Sequence, residues 1–106
     1  MEFRRHHRVP LREPVTFHRK DNDDHPLEGL STDISLGGMF IETATPEAFK
    51  TEIVVHLRLP GERAALALAA IVRWTGAEGM GVQFGLLGAK ETHAITEFVA
   101  THRKHE

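Results

Sequence analysis

Three arginines near the start of the chain, Arg4, Arg5 and Arg8, put three guanidinium groups within five positions. A guanidinium is a planar fork of N–H donors. It pairs bidentately with phosphate oxygens or with the O6/N7 edge of guanine, and its face stacks on a base. Downstream, Asp33, Ser35, Gly37 and Gly38 fall within six positions. An ionised aspartate only accepts, so Asp33 suits the N1/N2 donor edge of a guanine and repels phosphate. Ser35 either donates or accepts. Gly37 and Gly38 admit a ligand close to the backbone and allow positive φ. Together these residues hold the donors and acceptors to take both edges of a guanine and to neutralise a phosphate. Each half also has a plain structural reading: a solvated basic terminus for the arginines, and an Asx-type turn for Asp33 to Gly38.

Other chemistry finds less support. There is no cysteine, which removes disulfides, zinc–thiolate sites and thiol nucleophiles. The eight histidines show no H-E-x-x-H motif and no pair at i,i+4. His6 and His7 are adjacent on an extended segment, where neighbouring side chains point apart. His93 and His102 are nine positions apart, so the histidines are read as solvated surface residues and no metal is assigned. Ser35 lacks the preceding glycine and the strand-to-helix context of a nucleophile elbow. No carboxylates stand out as an acid/base pair. The expectation is a protein without catalytic activity.

The elements that must position these groups follow from periodicity. At 106 residues the chain holds one domain. Its formal charge of −2 argues against a polycation seeking nucleic acid or membrane. No apolar run nears the ~20 residues that span a bilayer, and the basic start has no apolar segment of a signal peptide behind it. A cytoplasmic protein is expected. Residues 1–12 read as a basic lead-in, extended or loosely turned and free to move, since Pro10 and Pro14 disfavour a helix. Short strands are predicted over 15–19, 27–35, 38–43, 53–59, 64–74 and 80–84. Asn22, three aspartates and Pro26 supply a connection over 21–26, and Pro60-Gly61-Glu62 and Gly76–Gly79 supply turns. Ala94, Ile95, Phe98 and Val99 then recur at helical spacing, which predicts one amphipathic helix over 89–103. Trp74, closing an apolar strand, reads as core or rim packing rather than as a base-stacking platform. Strands this short suggest a small antiparallel barrel covered by the helix.

The spacing Arg4-x-x-x-Arg8, followed by Asp33-x-Ser35-x-x-Gly38, resembles the paired signature of the PilZ domain family. Further phrases are similar to that family: Arg-Arg-His-His-Arg-Val-Pro at 4–10, Thr-Asp-Ile-Ser-Leu-Gly-Gly-Met-Phe-Ile at 32–41, Ala-Ile-Val-Arg-Trp at 70–74 and Gly-Met-Gly-Val-Gln-Phe at 79–84. The likeness spans essentially the whole chain and is greatest to stand-alone, myxobacterial-type PilZ proteins.

The resemblance implies a mainly β fold, a six-stranded antiparallel barrel over 13–88 with a C-terminal helix and tail over 89–106. It implies a bacterial, non-enzymatic receptor for cyclic di-GMP, with Arg4 and Arg8 on guanine and phosphate, Arg5 as an extra phosphate contact, and Asp33 on the guanine donor edge. Ser35, Gly37 and Gly38 complete the floor. Phe3 stands where some relatives carry another arginine, which favours one bound dinucleotide over a stacked pair. A single-domain receptor, monomer or weak dimer, would signal by ordering its N-terminal segment toward a partner protein in motility or exopolysaccharide regulation. Two alternatives stay open: a PilZ-like adaptor that binds no dinucleotide, and a small barrel binding single-stranded nucleic acid through the basic lead-in.

Overall fold

A computed structural model describes residues 7–103. Six strands run in chain order: β1 (Val9–Arg19), β2 (Asn22–Ile34), β3 (Gly38–Glu42), β4 (Glu52–Leu57), β5 (Leu66–Gly76) and β6 (Gly79–Phe84). One helix follows, α1 (Ala89–Arg103). All neighbours are antiparallel and the sheet closes in the order β1-β2-β3-β6-β5-β4. The expected six-stranded barrel with one helix is therefore what this sequence forms, and the predicted helix limits coincide with α1.

Alternation builds the core. Val15 and Phe17 of β1, Ile53, Val55 and Leu57 of β4, Leu66, Leu68, Ala70 and Val72 of β5, and Met80, Val82 and Phe84 of β6 all point inward and are buried. Side chains between them face outward, as the two-residue repeat of a strand requires. Ile95, Phe98 and Val99 lay the apolar stripe of α1 over β1 and β5. The Pro60-Gly61 turn forms as read: Glu62 N donates to Leu59 O at 3.0 Å, and Gly61 takes the positive φ of 87° that a type II turn needs.

Two boundaries differ from the reading of the sequence by more than two residues. β1 begins at Val9, so residues 9–12 are paired strand rather than loose lead-in. Before Thr16, β1 pairs with β2 alone; its pairing with β4 covers Thr16–Arg19. Prolines at 10 and 14 are tolerated because that half of the strand has an open side, where a missing N–H breaks no ladder bond. The 21–26 segment is also mostly strand. Arg19 pairs with Asn22, so the turn is only Lys20-Asp21, and the polar residues that suggested a loop are exposed positions at the end of β2.

Candidate nucleotide-binding site

Three irregularities in pairing cluster at one end of the barrel. β1 shifts register between Pro10 and Glu13, β2 between Ser31 and Asp33, and β5 between Val72 and Trp74. A bulge adds one residue to a strand and re-aims the side chains after it. On β5 the result is decisive. Val72 faces the core, so strict alternation would send Trp74 inward too. With the bulge, Arg73 and Trp74 both emerge on the outside, and Trp74 is 53% exposed. The indole lies on the outer surface over Gly76 and near Gly81, where the lack of a side chain leaves room for the ring. Phe40 flanks it at 5.7 Å between ring centroids. Of the two expected placements for Trp74, core or rim, the structure shows the rim: it is a half-exposed surface aromatic packed against Phe40.

Arg8 and Asp33, 25 residues apart, meet at this end. Arg8 Nη1 donates to Asp33 Oδ1 at 2.6 Å, and the same oxygen accepts from Phe40 N at 3.2 Å. The register explains the meeting, because Pro10 pairs with Asp33 and Val9 with Ile34. Both side chains of the ion pair keep about a third of their surface open to water.

Ser35 sits differently from what its chemistry suggested. It is 1% exposed. Its Oγ accepts from Gly37 N at 3.1 Å and from Gly38 N at 3.2 Å, while Ser35 N donates to Gly38 O at 2.8 Å. The hydroxyl thus closes the β2–β3 turn on itself. Gly38 is required by packing: a Cβ there would stand 2.0 Å from Val82 O. Neither Gly37 nor Gly38 has positive φ; among described residues the glycines that do are Gly61 and Gly79. Gly37 O accepts from Phe84 N at 2.8 Å, which pins the turn to β6.

Between turn and bulge lies a cleft of about 280 Å3. Arg8, Gly37 and Gly38 form one side; Arg73, Trp74 and Gln83 form the other. Arg73 Nε donates to Gln83 Oε1 at 2.7 Å, which holds the guanidinium on the outer sheet face. The structure therefore brings Arg8, Asp33, Gly37 and Gly38 to one place, with Ser35 as the turn's internal brace. Arg4, Arg5 and Phe3 lie outside the described residues. Arg73, Trp74 and Gln83 were not singled out as site residues from the sequence; Arg73 and Gln83 face outward by plain alternation, and the bulge adds Trp74 beside them.

The family model described as "PilZ domain" matches residues 2–101. The chain belongs to the PilZ family. Solved PilZ structures share its fold. The PilZ domain of CeSA from a cellulose-synthesizing bacterium superposes with a TM-score of 0.72 at 22% identity, covering 90% of this chain and 96% of that one. The Bacillus subtilis inhibitor of motility MotI/DgrA gives 0.76 at 19% identity, covering 95% of this chain and 51% of its own. The PilZ domain of Escherichia coli YcgR, solved with c-di-GMP, gives 0.68 at 12% identity, covering 95% and 92%. A search of curated proteins finds no match. No helix among the described residues of this PilZ domain is long and apolar enough to cross a membrane.

Proposed function

We propose that this PilZ domain is a cytoplasmic receptor for cyclic di-GMP that carries out no catalysis. The observation that carries the reading is the direct contact of Arg8 with Asp33 across 25 residues, beside a cleft that Arg8, Gly37 and Gly38 line. In the free protein the donor and the acceptor of the site satisfy each other. Binding exchanges that pair for ligand contacts: Asp33 takes the N1/N2 edge of a guanine, and the Arg8 guanidinium takes O6/N7 or a phosphate. The exchange is inexpensive, since a half-exposed ion pair contributes on the order of 1 kcal/mol or less. Trp74 offers an aromatic face to a base, and Arg73 adds positive charge on the same side. Ser35 and Gly38 act by holding the turn that presents Asp33. Arg4 and Arg5, close in sequence to Arg8, supply further phosphate contacts, and their ordering on the ligand presents a new surface to a partner protein of a motility or exopolysaccharide system.

Calorimetric titration with cyclic di-GMP tests the reading. Saturable binding of one dinucleotide is expected, lost or at least tenfold weaker in Arg8→Ala and in Asp33→Ala. Absence of heat and of any chemical-shift change at high ligand concentration sinks it and leaves the ligand-free adaptor.

A further inference from the structure

Away from the cleft, on the outer face where the barrel closes, His18 of β1 and His56 of β4 form a close pair. Their Nε2 atoms are 3.1 Å apart and their rings stack with centroids 5.2 Å apart, inclined by 29°. The register accounts for this. Thr16 pairs with His56 and His18 with Val54, so the two histidines are diagonal neighbours on one face. Both are half-buried. His18 Nδ1 lies 2.9 Å from the carbonyl oxygen of Arg19. A carbonyl only accepts, so Nδ1 carries the hydrogen, and neutral His18 accepts at Nε2 from the Nε2–H of His56, a hydrogen bond between the two rings.

We propose that His18 and His56 form a two-histidine site for a divalent transition metal of the zinc type, with water completing the coordination. Three features support it. Two nitrogens bound to one tetrahedral zinc at about 2.0–2.1 Å lie roughly 3.3 Å apart, so once the His56 hydrogen moves to Nδ1 a metal replaces the 3.1 Å hydrogen bond with little change in separation. Metal-binding histidines commonly donate their other ring N–H to a carbonyl, which fixes tautomer and ring orientation, and His18 already does so. Imidazole is a ligand that zinc and its neighbours favour. Among the described residues no cluster of three or more His, Asp and Glu side chains is placed to hold a metal, so the site has two protein ligands and open positions. The cleft beside His56 also carries Glu13 and Glu28, which offset the charge of Arg58 there. Metal bound at the pair would join β1 to β4, the seam that closes the barrel, and so would stabilise the fold by linkage. This site is independent of the cyclic di-GMP cleft.

The test is a zinc titration of the full chain, following the imidazole ring resonances of each histidine by NMR. The expected result is saturable shifts of both His18 and His56 and a rise in melting temperature. The variants His18→Ala and His56→Ala should each weaken zinc affinity by about ten- to a hundredfold, the loss seen when even a supporting group at a metal is removed. His93→Ala on the helix should not. Shifts confined to other histidines, or undiminished affinity in both variants, would overturn the proposal. The wild-type ring shifts decide the matter even if a variant folds poorly.

Discussion

Asp33 answers to two donors in the free protein, the Arg8 guanidinium and the Phe40 amide. Its replacement therefore separates recognition from folding. Asp33→Ala should cost only about 0.5–1.5 kcal/mol of stability for the amide bond, since the ion pair is half-exposed. Guanine affinity should fall by more, about 1.5–3 kcal/mol, because the lost contact is charge-assisted. A denaturant melt and a titration read the two numbers. Ser35 is the opposite case. Ser35→Ala removes the acceptor of two turn amides, one of them buried, and should destabilise by about 1–3 kcal/mol by denaturant unfolding, with ligand affinity falling as a consequence of the loosened turn. Gly38→Ala drives a methyl into the Val82 carbonyl and should destabilise by about 1–3 kcal/mol or more. Trp74→Ala should leave the melting midpoint nearly unchanged, because half the ring is already in water, yet weaken dinucleotide binding. Unaltered affinity in Trp74→Ala would remove the indole from the proposed site.

At the scale of elements, the inward stripes of β4, β5 and β6 and the Ile95, Phe98 and Val99 stripe of α1 were legible because burial imposes a period. Bulges impose none. Nothing in Val72-Arg73-Trp74 as a string shows that one extra residue enters β5 there, so the sequence left Trp74 undecided between core and rim. The prolines of β1 argued rightly against a helix, but that residues 9–14 pair with β2 was not legible, because the cost of a proline in a strand depends on whether a second strand lies on its other side, which is a property of the barrel. Asp33 and Arg8 were readable as complementary groups because one lacks what the other supplies, but their direct ion pair was not, since it follows from the β1–β2 register. The internal role of Ser35 was hidden, since burial and a turn's own hydrogen bonds are invisible in residue type. The helix gives a direct test of the stripe. Phe98→Ala should cost about 3 kcal/mol, the lower range for a buried phenylalanine, as the ring sits at the rim of the core and is 8% exposed. Loss of α1 packing should appear in hydrogen exchange along the helix before the strands respond.

For the whole molecule, closure sets the kinetics. The seam between β1 and β4 joins Thr16 to His56 and Arg19 to Ile53, contacts that form only when long loops have closed. A barrel dominated by such pairings should refold in milliseconds to seconds rather than microseconds, measured by stopped-flow circular dichroism. The placement of Trp74 also decides how such an experiment is read. It is the sole tryptophan of the chain, and it sits at the edge of the cleft instead of in the core. Its native emission should already be that of a half-solvated indole, so unfolding should change it little, whereas on the proposed function a base stacking on the ring should quench it. If the proposed function holds, the chain's own fluorophore is a reporter of occupancy and a poor reporter of folding, and a melt followed by tryptophan emission would understate a transition that the backbone signal displays in full.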